Sequence, residues 1–278
     1  MSGLDEGLID ELLGVAREAA VNAGALLSER FQAGVEREVQ SKSTPTDLVS
    51  EADLQSQRAI RELLTDRRPH EGFLGEELQE STTGSSGLRW IVDPLDGTVD
   101  FLFGIPQWCV SVAVEDEHGA LAGAVFDPNR GELFSATRNG AATLEGPHGA
   151  IELRHGCGED VRRGRDGGEG LASAMVATGF AYDAAVREQQ AKVLGRLLPR
   201  VRDIRRFGSA ALDLAWTAAG RYDAYFERTV KQWDIAAGVL ICQRAGLEVH
   251  ELPQREGLPW GVLVAPAELA GPLLEIVR

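Results

Sequence analysis

The second half of the chain alternates strand-like and helix-like segments, and this alternation limits the folds open to it. Short β-type segments such as VRDIRRF and YDAYFE are separated by amphipathic segments at 186–198, 209–219 and 233–245. Neighbouring parallel strands need a crossover connection, usually a helix that packs on the sheet. The pattern therefore predicts a mixed or parallel sheet covered by helices over 171–278, closed by a last helix at 269–277.

The first half follows a different pattern. Apolar residues recur at helical spacing over 5–31, and a second helix is predicted over about 53–64. The segments WCVSVAVED, ALAGAVFDP and GELFSATRNGAATLEG read as strands joined by turns. Residues 1–153 are therefore predicted as a half of helices and mostly antiparallel sheet. The segment 154–170, rich in glycine and charge, is predicted to connect the halves within one structural unit.

Charge and composition exclude several classes of partner. The formal net charge is −15, from 43 Asp and Glu against 28 Lys and Arg, which argues against nucleic acid or an anionic membrane. The N-terminal segment is acidic and no apolar run is long enough to span a bilayer, so we expect a cytoplasmic protein. Cys109, Cys157 and Cys242 are far apart and are expected to be reduced. Since the five histidines are also scattered, any metal would be bound by oxygen ligands.

The stretch WIVDPLDGTVDF places Asp93, Asp96 and Asp100 close together directly after an apolar strand. Adjacent carboxylates repel one another and raise each other's pKa unless a cation neutralises them. A cation site is one explanation. The other is local structure, in which the strand ends at Val92, Asp93 shapes the turn and Asp96 caps a short helix.

Three further acidic residues bear on the choice between a cation site and a purely local structural role. Glu76 and Glu77 end the predicted strand FLGEE, and Asp234 lies in the first turn of a predicted helix in the second half. Taken separately, they fit a solvated loop and a helix N-cap, and Asp53 likewise fits a helix start. Taken together with the aspartates, they indicate a site for hard cations.

Four segments of the chain resemble the inositol monophosphatase family of magnesium-dependent, lithium-sensitive phosphatases. DPLDGT at 93–98 and WDIAAG at 233–238 resemble its two signature boxes, and KSTPTDLVSEAD at 42–53 and FLGEE at 73–77 resemble two further segments. The resemblance extends over about 8–277. It implies an α/β fold with alternating α-β-α-β-α layers of the sugar-phosphatase type, binding of two or three Mg²⁺ ions, and assembly as a homodimer.

The resemblance also implies roles for individual residues. The implied metal ligands are Glu76, Asp93 as a bridge, the carbonyl of Leu95, Asp96 and Asp234. The implied catalytic residues are Thr98 and Asp53, which orient and deprotonate the attacking water, and Glu76. The implied phosphate-binding residues are Gly97 and Thr98, the substrate-binding residues Asp96, Ala210, Glu227 and Asp234, and the supporting residues Lys42, Asp47 and Glu77.

The activity implied is hydrolysis of a small polyol phosphate, most closely myo-inositol 1-phosphate. Histidinol phosphate, 3′-phosphoadenosine 5′-phosphate and fructose bisphosphate remain alternatives, as does a binding protein without catalysis. Glu227 has the competing interpretation of a surface residue at a strand end. Two departures from the family pattern are Asp100, where asparagine is common, and Leu247 after Gly246, where a glycine pair is frequent. For the dimer contact the sequence offers Phe101, Phe103 and Trp108, which could equally be core residues.

Overall fold

The computed structural model describes residues 5–34, 39–41, 48–77, 81–154 and 170–278. Its helices among these residues are α1 (Glu6–Ala33), α2 (Glu51–Arg67), α3 (Thr98–Phe103), α4 (Ala184–Leu197), α5 (Ala210–Ala218), α6 (Gln232–Arg244) and α7 (Ala267–Val277). Short 3₁₀ turns lie at Leu171–Ser173 and Leu198–Arg200. None of the described helices is both long enough and apolar enough to cross a membrane.

The strands fall into three sheets. Those of the first half are β1 (Val39–Ser41), β2 (Leu48–Ser50), β3 (Gly72–Gly75), β4 (Ser81–Thr82), β5 (Arg89–Asp96), β6 (Cys109–Asp116), β7 (Gly119–Asp127), β8 (Glu132–Thr137), β9 (Ala142–Gly146) and β10 (Gly149–Leu153). Those of the second half are β11 (Met175–Thr178), β12 (Asp203–Arg205), β13 (Ala224–Arg228), β14 (Glu248–Leu252) and β15 (Gly261–Ala265).

The first-half sheet has eight strands in the order β10-β9-β8-β7-β6-β5-β3-β4. All its pairs are antiparallel except β3 with β5, so the prediction of a mostly antiparallel sheet is confirmed. The second-half sheet has five strands in the order β12-β11-β13-β15-β14. There β11 runs parallel to both neighbours, whereas β15 is antiparallel to both of its own, which makes the sheet mixed, as predicted.

The helices form three layers that alternate with these two sheets. Helices α1 and α2 pack on one face of the eight-stranded sheet, and α5 and α6 pack between the two sheets. Helices α4 and α7 cover the outer face of the five-stranded sheet. The apolar stripe of α1 includes Leu12, Ala19 and Leu27, all fully buried, because a helix on a sheet must bury one face. The predicted α-β-α-β-α layering is confirmed.

Several local predictions need correction. Strand β5 does not end at Val92 but continues to Asp96 through an irregular register, with Asp93 opposite Ser111 and Asp96 opposite Cys109. Pairing with β6 extends the strand past Pro94 because the bulge tolerates a residue that cannot donate to the ladder. The hairpin strand β10 was not predicted, and its exposed surface explains why, since no apolar alternation marks it.

The aromatic residues after the first motif have different environments. Phe101 and Trp108 are fully buried and pack edge to face with ring centroids 5.1 Å apart, so both are core residues. Phe103 is 73% exposed and stands beside the exposed Ile105. The predicted connection at 154–170 lies mainly outside the described residues, so that division of the chain stays a prediction.

Candidate active site

The acidic residues singled out in the sequence meet where four elements end. Glu76 directly follows β3, and Asp93 and Asp96 lie at the end of β5. Asp234 is in the first turn of α6 and Asp53 in the first turn of α2. The parallel pairing of β3 with β5 carries Glu76 and Asp93 to the same edge of the sheet.

Burial and mutual repulsion dominate the electrostatics of this edge. Burial raises the pKa of Asp93 well above its usual range, and the charges of Glu76, Asp96 and Asp234 raise it further. The pKa of Asp234 is also well above its usual range, first through burial and then through Glu76 and Asp96. A side-chain hydrogen bond with Glu76 adds to the effect on Asp93. These carboxylates therefore favour a state in which protons or cations neutralise them.

The donor set fits Mg²⁺ by its chemistry. It consists of buried or half-buried carboxylates close enough to raise each other's pKa, and hard cations prefer such oxygen ligands. Within the described ranges, no three His, Cys, Asp or Glu side chains stand in positions ready to bind one ion. The carboxylates would therefore have to converge further to share a metal.

Asp96 joins the first half of the chain to helix α5. Its Oδ2 accepts hydrogen bonds from the Ser209 hydroxyl at 2.7 Å and from the Ala211 N–H at 2.6 Å. These bonds oppose the effect of burial, and the pKa of Asp96 is raised to about 6. The interpretation of Asp96 as a cap of α3 is wrong, because Gly97 occupies that position and α3 has no side-chain cap. Ser209, the N-cap of α5, is a site residue that the sequence analysis missed, although a serine before a helix is a cap signal.

Thr98 and Asp53 are in direct contact. The Thr98 hydroxyl lies 2.8 Å from Asp53 Oδ1 and 3.1 Å from the Leu95 carbonyl oxygen. The other oxygen of Asp53, Oδ2, accepts from the N–H and hydroxyl of Ser50, the N-cap of α2. Asp53 is therefore both a helix-start residue and a buried acceptor for Thr98, so the two interpretations of this residue are compatible.

Gly97 is required by the backbone of the turn between β5 and α3. Its φ is 98°, a left-handed conformation that favours glycine. A Cβ at this position would lie 2.8 Å from the Gln107 carbonyl oxygen and 3.1 Å from Trp108 Cα. The absent side chain thus makes room for the backbone before β6, and this tight turn orients the N–H groups at the start of α3.

Two further residues missed by the sequence analysis hold the site loops. Buried Gln57 donates to the Glu77 carbonyl oxygen and accepts from the Glu77 N–H, both at 2.8 Å. Ser56 donates to the Pro94 carbonyl oxygen at 2.7 Å. Helix α2 thereby fixes both acid-bearing strand ends, and buried Glu77 takes part through its backbone.

Glu227 lies at the second-half side of the site and is not a surface residue. It is half-buried, accepts from the Tyr225 hydroxyl at 3.0 Å, and has its pKa raised to about 7, mainly by burial. A Cβ on Gly179 would lie 2.1 Å from the Glu227 carboxylate, so only glycine at position 179 leaves room for the Glu227 side chain. Half-buried Ala210 starts α5 beside Ser209. Lys42 and Asp47 lie outside the described residues.

The turn from Glu227 to Asp234 contains an unusual backbone. Thr229 has a φ of 75° and is the only non-glycine residue with positive φ in the described part of the chain. A β-branched residue is strained in this region. Because the turn links the end of β13 to the start of α6, it sets how Glu227 and Asp234 face each other.

The sequence matches the inositol monophosphatase family over residues 8–277. The chain belongs to the inositol monophosphatase family. It is 41% identical over 247 residues to the inositol-1-monophosphatase of Mycobacterium leprae, which covers 86% of this chain and 81% of that protein. Membership with this level of identity identifies the chain as a phosphatase.

Two other relatives of this chain carry the name SuhB. The solved structure of the extragenic suppressor protein suhB from Bartonella henselae is 31% identical, with a TM-score of 0.83, and covers 96% of this chain and 98% of that one. A Pasteurella multocida protein named Nus factor SuhB is 36% identical over 239 residues, covering 86% of this chain and 84% of that protein.

The raised pKa of Glu227 predicts a pH effect on stability in metal-free buffer. The folded protein holds a proton on Glu227 up to about pH 7, whereas the same glutamate in the unfolded chain, with an ordinary pKa of 4.5, has lost it. Because the folded state then binds more protons between these values, the free energy of unfolding falls as pH rises through this window. We expect Glu227→Gln to reduce the fall between pH 5 and pH 8 by about 1 to 3 kcal/mol in urea unfolding with EDTA.

A matched control is Glu275→Gln, which removes an exposed glutamate from α7. It should leave the pH dependence of the wild type unchanged. An identical pH dependence in the wild type and Glu227→Gln would show that burial does not hold a proton on Glu227.

Proposed function

We propose that this family phosphatase is a Mg²⁺-dependent phosphomonoesterase that hydrolyses a small polyol phosphate, most closely myo-inositol 1-phosphate. The observation that carries the proposal is the edge where burial and the charges of Glu76 and Asp96 raise the pKa of Asp93 and Asp234. Such a set is stabilised by divalent cations, and the family is generally Mg²⁺-dependent. Bound Mg²⁺ would supply positive charge that stabilises the attacking and leaving oxygens.

The proposed metal-binding residues are Glu76, Asp93, Asp96, Asp234 and the carbonyl oxygen of Leu95. Of these, Asp93 accepts a hydrogen bond from the Leu95 N–H at 3.1 Å, so the aspartate holds the peptide unit that precedes the proposed carbonyl ligand. The Ser209 hydroxyl and the Ala211 N–H donate to Asp96 Oδ2 and fix the orientation of this proposed ligand.

The hydrogen bond from Thr98 to Asp53 defines a path for a proton. While the Thr98 hydroxyl donates to Asp53 Oδ1 at 2.8 Å, its oxygen lone pairs can accept a hydrogen bond from the attacking water. The water gives its proton to Thr98 as Thr98 gives its own to Asp53, which acts as the base. Ser50 holds Asp53 Oδ2 from the other side and so fixes the base in orientation.

The leaving group is proposed to lie against Glu227. The carboxylate is half-buried and its position is fixed by Tyr225 and by Gly179. A hydroxyl-rich leaving group offers donors to such an acceptor, and a site that pairs buried polar groups with substrate hydroxyls discriminates strongly against analogues lacking them. This favours a polyol phosphate over a nucleotide.

The proposed function is tested by measuring kcat/KM for inositol 1-phosphate, histidinol phosphate, fructose 1,6-bisphosphate and 3′-phosphoadenosine 5′-phosphate in Mg²⁺. We expect inositol 1-phosphate to be preferred, and EDTA, Li⁺ or excess Ca²⁺ to suppress turnover. Full turnover after metal removal would exclude the metal-dependent mechanism. A preference of about tenfold or more for histidinol phosphate would replace the substrate while keeping the reaction.

Two substitutions should separate metal binding from water activation. We expect Asp93→Asn to lower kcat by about 10³-fold or more and to weaken Mg²⁺ binding, because it removes a charged ligand shared between ions. Thr98→Ala should lower kcat by about 10² to 10⁴-fold, the usual contribution of general-base catalysis, while calorimetric Mg²⁺ binding is kept. Thr98→Ser, which retains the hydroxyl, is the control and should keep most activity. Equal loss in both Thr98 variants would exclude the hydroxyl's role.

We also propose that the protein forms a homodimer through the exposed apolar residues at the C-terminal end of α3 and just beyond it. Phe103 and Ile105 are both exposed and adjacent in sequence to the buried Phe101, and clustered exposed apolar side chains mark interaction sites. Light scattering should give about twice the chain mass of 29.9 kDa, and Phe103→Asp should give the monomer. A monomeric wild type at micromolar concentration would contradict the proposal.

A further inference from the structure

A cluster of charged residues lies beside the candidate site, and apart from Glu227 its members have no part in the mechanism above. It consists of one arginine, Arg206, and the carboxylates of Asp100, Asp213 and Glu227. The positive charge of Arg206 lowers the pKa of each of these three carboxyl groups, although burial is the larger effect on each and raises it. The guanidinium is therefore within electrostatic range of all three carboxylates.

Contacts of Arg206 agree with this position. Its Cζ lies 5.9 Å from the centroid of the Phe180 ring, and Phe180 follows Gly179, which packs against the Glu227 carboxylate. A Cβ on Gly208 would lie 2.7 Å from an Arg206 guanidinium nitrogen and 2.7 Å from Asp100 Oδ2. Gly208 has a φ of 93°, and the space where its side chain would lie is flanked by the Arg206 guanidinium and the Asp100 carboxylate.

The guanidinium is not neutralised by a direct bond to the nearest carboxylate oxygen. Asp100 is only 8% exposed, and its Oδ2 has no hydrogen-bond partner among the described residues. Burial raises the pKa of Asp100 to about 6. Arg206 itself is exposed, so its N–H donors can meet a molecule that enters beside Glu227. An arginine fork binds phosphate and carboxylate groups in two-pronged fashion.

We propose that Arg206 is a specificity-determining residue that selects the charge of the leaving group: it favours a leaving group carrying a second anionic group and disfavours a cationic one. This inference rests on the proposed function, because it takes the Glu227 side as the place of the leaving group.

The alternative is that Arg206 only stabilises the fold through Phe180 and the neighbouring carboxylates. A structural role changes stability and affects all substrates by the same factor. If Arg206 instead selects the charge of the leaving group, which we call a charge filter, its removal changes the ratio of kcat/KM between substrates. Arg206 attracts an anionic leaving group and repels a cationic one, but it has little effect on a neutral one. The two possibilities therefore differ in a measurable ratio.

The test compares Arg206→Gln with Arg205→Gln, a matched control whose guanidinium pairs with Asp203 at 2.5 Å. Three substrates are used in Mg²⁺: fructose 1,6-bisphosphate, inositol 1-phosphate and histidinol phosphate, whose leaving groups are anionic, neutral and cationic. For Arg206→Gln we expect kcat/KM to fall about tenfold for the bisphosphate, mainly through KM, and to rise about threefold or more for histidinol phosphate. The value for inositol 1-phosphate should stay within about threefold, and Arg206→Lys should restore part of the bisphosphate activity.

The inference is overturned if all three substrates change by the same factor, or if Arg205→Gln gives the same pattern as Arg206→Gln. Binding provides a separate readout that does not need turnover: fructose 1,6-bisphosphate is titrated calorimetrically with Ca²⁺ in place of Mg²⁺. Weaker binding to Arg206→Gln than to wild type supports the charge filter, whereas equal binding, or none to either protein, overturns it. If the wild type hydrolyses none of the three esters, the proposed function fails, and the binding comparison still decides the role of Arg206.

Discussion

The site depends on the burial of carboxylates that repel one another. Burial raises the pKa of Asp93 and Asp234, and their neighbours add to the effect. Folding places these charges together at a cost that must be offset by protons, hydrogen bonds or cations. The fold offsets part of this cost, because a hydroxyl and a backbone N–H at the start of α5 donate hydrogen bonds to Asp96. The proposed cations would offset the remaining cost, so binding of cations at the site would also stabilise the fold.

Helix N-termini provide the framework of the site. Asp53 lies in the first turn of α2 and Asp234 in the first turn of α6, where each accepts a backbone N–H of its own helix. Asp96 accepts from the start of α5 instead, which belongs to the other half of the chain. The free N–H groups and the dipole at a helix N-terminus stabilise negative charge. Capping and function are therefore served by the same side chains, and a carboxylate at a helix start is compatible with both.

The charge on the Glu227 side differs from that on the metal side. The charged groups that raise the pKa of Asp93 are Glu76, Asp96 and Asp234, whereas Glu227 and Asp100 have an arginine in their environment. The proposed function assigns the acidic side to the phosphate and the Glu227 side to the leaving group. The strained backbone at Thr229 lies on the connection between them, and strain of this kind persists only where surrounding structure holds it.

Helical and strand periodicities in the sequence alone determined the two halves, one of helices with a mostly antiparallel sheet and one of helices with a mixed sheet, whereas the alternating layers were predicted from the resemblance to a known family. The sequence also indicated the acidic residues, because two motifs with carboxylates at strand and helix ends are specific even before any contact is known. Only the tertiary structure decided which donor each carboxylate meets: Ser209 with Asp96 and Gln57 with the backbone of Glu77 join residues far apart in sequence. It alone also brought the charge of Arg206 within range of Glu227, because these residues belong to or follow different strands, β13 and β12, which flank β11 in the sheet.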